Sequence, residues 1–306
     1  MGRSRQIGPA VIVVVLALAA CSSGPDSDVS PNDPATVAVA SFNFSESELL
    51  AEIYSQSLEA GGFPVTRAFD LGPRELVVPG LVRGLVDFVP EYAGTALQFL
   101  SAGREDPPTD SALTHAALRH ALAELPVRAL EPAPAQDANT FVVDRDTAER
   151  HGLQTLSDLA AVSGSLVFGG PPECPSRPLC LEGLDRVYGI TFGDVASLDA
   201  GGPLTHQALD GGGIQVALLF TTDPALDSPD LVELADDRRL QPPENVTPLV
   251  HDDVVATFGH GLVERIDETS ARLTTTVLRQ LNEQVAAGQD DIATIAAQWL
   301  EDEGLV

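Results

Sequence analysis

Residues 81–97 read Leu81-Val-Arg-Gly-Leu-Val-Asp-Phe-Val-Pro-Glu-Tyr-Ala-Gly-Thr-Ala-Leu97. Gly84 suits the end of a helix, where a left-handed backbone costs glycine nothing. Leu85 to Val89 is a short apolar run with one charge, the pattern of an inner strand, and Pro90 is expected to stop it. Glu91, Tyr92 and Thr95 then fall where a strand hands over to a helix. In an open α/β sheet that carboxyl edge is where ligands bind. Residues 81–97 therefore predict an α/β sheet with these three side chains at its binding edge.

Outward from it the alternation continues. Thr36 to Ala40 is a β-rich run, and Ser45 with Glu48 three residues on predicts a capping box. Leu49, Leu50, Ile53 and Tyr54 form the apolar face of the helix that follows, which Gly61-Gly62 ends. Pro64 to Leu71 reads as a strand and Arg74 to Gly84 as a helix kinked at Pro79. Residues 110–124 form an amphipathic helix with Leu113, Ala117, Leu118, Ala121 and Leu122 inward. Strand–helix alternation predicts mostly parallel sheets flanked by helices.

Glu131 to Ala138 has no period and predicts a crossing to a second lobe. That lobe holds strands at Phe141–Val143, Ser165–Phe168, Ile214–Phe220 and Leu231–Leu234. It also holds helices from Thr155 to Val162 and from Pro203 to Leu209. Asp236 to Asn245, polar with Pro242-Pro243, predicts the return. The tail reads as two amphipathic helices, 270–286 and 291–303. The expected division is 36–137 plus 244–306 for the first lobe and 138–243 for the second, with a ligand cleft between them.

Arg3 and Arg5 precede a ten-residue apolar run, Val11 to Ala20, which is too short for a resident membrane span. Leu18-Ala19-Ala20-Cys21 closes it, so 1–20 reads as a signal peptide. The segment resembles a bacterial lipobox, which implies cleavage before Cys21 and lipid on its thiol. Residues 21–35 read as a flexible tether. The chain is then a lipoprotein anchored at the outer face of the cell membrane.

The net charge is −28. A chain this acidic repels nucleic acid, and no basic stripe offsets it. Of three Cys, Cys174 and Cys180 lie close together in an exported protein and are expected to pair. They have no neighbours that would make a metal site. Gly-x-Ser-x-Gly, His-Glu-x-x-His and P-loop patterns are absent from the sequence, so no catalytic residue, cofactor or metal is predicted.

Several ordered segments resemble the osmoprotectant-binding (glycine betaine/choline/carnitine/proline) substrate-binding proteins of ABC importers. Gly84-x-x-Asp87-x-x-x-Glu91-Tyr92-x-Gly94-Thr95 is similar to a family segment. So are Ser41-Phe42-Asn43-Phe44-Ser45-Glu46, Asn139-Thr140-Phe141, the Arg177-containing stretch from Glu173 to Gly189, Phe220-Thr221-Thr222-Asp223, and Leu234-Ala235-Asp236-Asp237 with Pro242-Pro243. The similarity covers residues 36–306.

The resemblance implies a two-lobed periplasmic-binding-protein fold of type II. It implies a monomer that closes on a small cationic or zwitterionic solute and docks on ABC permease subunits. In the family a Tyr cage holds a quaternary ammonium through cation–π attraction. Carried over, Tyr92 and Thr95 keep their groups, Phe141 and Phe220 keep only rings, and Arg177 matches an Arg used for carboxylates. Asn139 marks the entry to the second lobe. Core packing is the other reading of Phe141 and Phe220. Phe42 stands where several members have Lys. Glu244 stands where many have a cage Tyr, and it either meets a cation or is a solvated loop residue, the reading favoured. Three Tyr and one Trp cannot build a full cage unless Phe residues join it. The rival readings are a secreted α/β enzyme and a non-transport sensor or scaffold lipoprotein.

Overall fold

The computed structural model describes Gly2, residues 36–103 and residues 107–306. Cys21, the signal peptide and the tether lie outside them, apart from Gly2. The chain opens with β1 (Val37–Ala40), α1 (Ser45–Ala60), β2 (Val65–Ala68), α2 (Arg74–Val82), β3 (Phe88–Tyr92), α3 (Ala93–Leu100), α4 (Ser111–Ala121) and β4 (Val127–Ala129). It then runs through β5 (Asn139–Asp144), α5 (Arg145–His151), α6 (Leu156–Leu159), β6 (Val167–Gly170), α7 (Leu181–Tyr188), β7 (Asp194–Ser197), α8 (Pro203–Asp210), β8 (Val216–Phe220) and β9 (Leu231–Glu233). It closes with β10 (Val246–His251), α9 (Asp252–Phe258), α10 (His260–Arg272), α11 (Thr275–Ala287) and α12 (Ile292–Asp302).

Two five-stranded sheets result, in the orders β2-β1-β3-β10-β4 and β7-β6-β8-β5-β9. In each, the strand in fourth place, β10 or β5, runs against the other four. The sheets are mostly parallel and carry their helices on both sides, a two-lobed α/β architecture of type II. One apolar core joins the first sheet to α1 and to the tail helices, through Leu50, Ile53, Leu262 and Leu300. A second packs Phe141, Phe168, Leu184 and Val216 around the other sheet. The two crossings pair with each other. Val246 N donates to Ala135 O, Ala133 N to Val246 O, and Asp137 N to Glu244 O.

The central strand differs from its sequence reading. It covers Phe88–Tyr92 rather than Leu85–Val89, and Leu85 is exposed. Pro90 does not stop it. Pro90 lies opposite Pro248 of β10, whose carbonyl turns away to accept from Leu130. The two prolines therefore form a pair that exchanges no ladder bonds, which is where a strand tolerates a missing N–H.

Other boundaries move for similar local reasons. α1 begins at Ser45 with Phe44 in the capping position and no side-chain cap, so the capping box is not formed; Ser47 Oγ instead accepts from Phe42 N. Leu113 of α4 faces outward, and Thr114 faces in. The Thr114 hydroxyl is satisfied by the carbonyls of Pro108 and Asp110, which lets a polar residue take a core position. The expected helix 270–286 is two helices, broken where Thr274 caps Val277. β10, α9 and α10 fill residues 246–272, most of which the sequence pattern leaves unassigned.

Candidate ligand-binding site

The β3-to-α3 handover positions Tyr92 and Thr95 as the sequence predicts. Gly94 makes that turn possible, because a Cβ there would lie 2.3 Å from Cγ of Pro242. The first turn of α3 thus lies directly on the return crossing, and the contact buries Glu244. Glu244 is 2% exposed, which corrects the solvated-loop reading. Its carboxyl accepts Thr95 N at 3.0 Å and Thr95 Oγ1 at 2.5 Å. Burial pushes its pKa up to about 7, against the Thr95 hydrogen bonds and the Arg74 charge.

A cavity of about 410 Å³ opens beside this turn and is lined from both lobes. Of the predicted site residues it brings together Phe42, Tyr92, Thr95, Asn139, Arg177 and Phe220. Glu244 stands behind Thr95. Phe141 does not reach the cavity; it is buried in the second core, its ring centroid 6.3 Å from that of Phe168. Of its two readings, core packing is the one the structure shows.

The aromatic wall has a centre that sequence reasoning missed. Phe44 lies 5.4 Å from Phe220, 6.1 Å from Tyr92 and 6.1 Å from Phe42, centroid to centroid. The signal was present, since Phe44 belongs to the quoted segment Ser41 to Glu46. Phe42 also lines the cavity, but the Arg74 guanidinium sits 5.0 Å from its ring centroid, so one of its faces already has a cation.

Arg74 is another residue missed. It pairs with Glu91, Nε to Oε1 at 2.5 Å and Nη2 to Oε2 at 2.9 Å, with both groups buried. Such a pair adds little net stability, but losing either partner strands a buried charge, a cost of about 3–5 kcal/mol. Glu91 also accepts Tyr92 N at the start of α3, where a helix favours negative charge.

Behind Tyr92 lies a buried carboxyl pair, Glu46 and Asp137. Glu46 accepts from Tyr92 Oη at 2.6 Å, Thr222 Oγ1 at 2.5 Å and Asn282 Nδ2 at 2.6 Å. Asp137 accepts from Thr222 N and Thr221 Oγ1. Burial raises both carboxyls, and for Asp137 the charge of Glu46 adds to it. These contacts gather the first turn of α1, the outward crossing, the end of β8 and α11 at one point. Glu46 carried no distinguishing mark in the sequence beyond its place in that same segment.

The mouth of the cavity is framed by the Cys174–Cys180 loop, whose disulfide holds Cα atoms 5.3 Å apart. Asn139 reaches this loop, its Nδ2 donating to Leu179 O at 3.2 Å. Arg177, within the loop, donates to Glu75 of α2. Gln98 of α3 lines the cavity, and neither of its amide atoms has a hydrogen-bond partner among the described residues. Aromatic rings, paired charges and a few polar groups around a cleft suit binding of a small solute.

A family model described as the substrate-binding domain of ABC-type glycine betaine transport systems matches residues 35–302. Among curated relatives, the glycine betaine-binding protein YehZ of Escherichia coli is 26% identical over 85% of this chain and 88% of its own. A glycine-betaine-binding protein of Pseudomonas aeruginosa is 27% identical over 89% of both chains. Among solved structures, a glycine betaine/carnitine/choline ABC transporter protein aligns with a TM-score of 0.67 at 23% identity, covering 88% of this chain and 99% of that one. This chain belongs to the family of substrate-binding domains of ABC-type glycine betaine transport systems.

Proposed function

We propose that this chain is the extracytoplasmic solute-binding component of an ABC importer. It takes up a small cationic or zwitterionic osmoprotectant with a quaternary ammonium group, such as glycine betaine, choline or carnitine. The lobes, divided near residues 137 and 244, close on the solute by a hinge motion at the paired crossings, and the closed monomer docks on permease subunits. The protein performs no chemistry. It reaches the membrane through lipid on Cys21, and no helix among the described residues is long and apolar enough to cross a bilayer.

The observation that carries the ligand class is the aromatic wall, Phe44 with Phe42, Tyr92 and Phe220. The π face supplies the attraction to an ammonium, so phenylalanine serves where relatives use other rings. Calorimetry with glycine betaine, choline, carnitine and proline betaine tests this. At least one should bind wild type, and Phe44→Ala should weaken it roughly tenfold, about 1.4 kcal/mol. Heat from none of the four overturns the ligand class; an unaffected variant moves the ammonium away from Phe44.

A further inference from the structure

Arg177 sits on the second lobe, inside the loop closed by the Cys174–Cys180 disulfide. Its guanidinium reaches over the cavity to α2 of the first lobe. Nε lies 3.3 Å from Glu75 Oε1, and Nη2 lies 2.9 Å from Oε2 and 3.3 Å from Oε1. Nη2 also lies 3.3 Å from Oε1 of Glu173, four residues earlier in the same loop. The other guanidinium on the cavity wall, Arg74, is held by both oxygens of Glu91. Among the described residues, both guanidinium groups lining the cavity are thus already matched by carboxylates of the protein. Glu173 and Glu182 line the same cavity, so a carboxylate on a solute would meet repulsion and, among the described residues, no unengaged guanidinium.

From this we infer that Glu75 is a specificity-determining residue: it occupies Arg177 across the cleft in place of a solute carboxylate. The inference rests on the quaternary-ammonium reading given above. The Glu75–Arg177 bridge joins the two lobes and leaves the cavity suited to a cation whose far end is neutral. Burial works to raise the Glu75 pKa, but the hydrogen bonds and charge of Arg177 outweigh it and hold the carboxyl below its usual range, so it is ionised at neutral pH. Arg presents a planar fork of donors matched to a carboxylate, which is why one carboxylate can stand in for another there.

The test has two arms. In the first, calorimetry compares choline, whose far end is a neutral hydroxyl, with glycine betaine, whose far end is a carboxylate. Wild type should prefer choline. Glu75→Gln should free Arg177 and shift the betaine-to-choline affinity ratio at least tenfold toward betaine. Glu173→Gln, which leaves the cross-cleft bridge in place, should shift it far less. A wild-type preference for betaine, or a ratio unchanged in Glu75→Gln, overturns the inference.

In the second arm, small-angle scattering is read on solute-free protein. Glu75→Gln and Arg177→Gln should each enlarge the radius of gyration, and the charge-swapped double variant E75R/R177E should restore it. Identical scattering from all of them overturns the bridge between lobes. Should no ammonium compound bind wild type, the ligand class fails, and the scattering arm decides the role of Glu75 independently.

Discussion

The hydroxyl of Tyr92 points into the protein: it donates to Oε1 of the buried Glu46 at 2.6 Å. The ring faces the cavity, so one side chain carries two separable roles. Burial and the nearby carboxylates push the Tyr92 pKa well above its ordinary value, which keeps the hydroxyl a donor across the working pH range.

Tyr92→Phe separates those roles. It keeps the ring and removes one of three hydrogen bonds to Glu46. Solute affinity should stay within about twofold of wild type, while stability in urea falls by about 1–2 kcal/mol, the worth of a hydrogen bond to a buried carboxyl. Affinity lost about tenfold or more would show that the hydroxyl, and not the ring, serves the solute.

Glu244 should give the protein a measurable pH signature. Its pKa rises from 4.5 unfolded to about 7 folded. A carboxyl raised by folding stabilises the fold below its unfolded pKa and withdraws that contribution as pH climbs through the folded value. The contribution is present below pH 4.5 and lost between there and about pH 7, on the order of 3 kcal/mol. Glu244→Gln mimics the protonated form, its amide able to accept from Thr95 N and donate to Thr95 Oγ1. The variant should equal wild type near pH 4.5 and exceed it at pH 8 by urea denaturation. A variant less stable than wild type at pH 8 would show the ionised carboxylate to be the form the fold favours.

How much of this could be read from sequence depends on which residues tertiary contacts reassigned. Tyr92 and Thr95 were legible because a strand end followed by a helix start fixes where they point, whatever else the chain does. Phe141 and Phe220 both lie on strands, and no local pattern separates them. The antiparallel register sets Asn139 opposite Phe220 at the strand ends, and Phe141 opposite Leu218, two residues further into the sheet. Phe220 at the strand end reaches the cleft, as does Leu218, whereas the Phe141 ring packs on Phe168 in the core. Glu244 follows two prolines in a polar stretch, a surface signature, and only the close approach of Gly94 to Pro242 buries it. Arg74 and Glu91, 17 residues apart, meet where the first residue of α2 reaches β3, a pairing no spacing rule contains.

Gln98 supplies the last prediction. It is 3% exposed, and both its amide nitrogen and its amide oxygen lack hydrogen-bond partners among the described residues. An unsatisfied buried polar group costs about 1–3 kcal/mol, whereas an apolar side chain of the same shape avoids that cost. The residue lines the cavity on the same helix as Thr95, and the expectation is that a small turn of its side chain on binding brings the amide to a solute's polar end. Gln98→Met, close in volume, should raise the stability of solute-free protein by about 1–2 kcal/mol, a few degrees in Tm for a chain of this size. The same variant should lose solute affinity about tenfold, the worth of one hydrogen bond that water cannot replace inside a closed cleft. Thermal unfolding and calorimetry read the two effects on one preparation. A Gln98→Met protein less stable than wild type would mean that the amide already has its partners in the solute-free state. Stability gained with affinity unchanged would mean that the solute leaves the amide unmet as well.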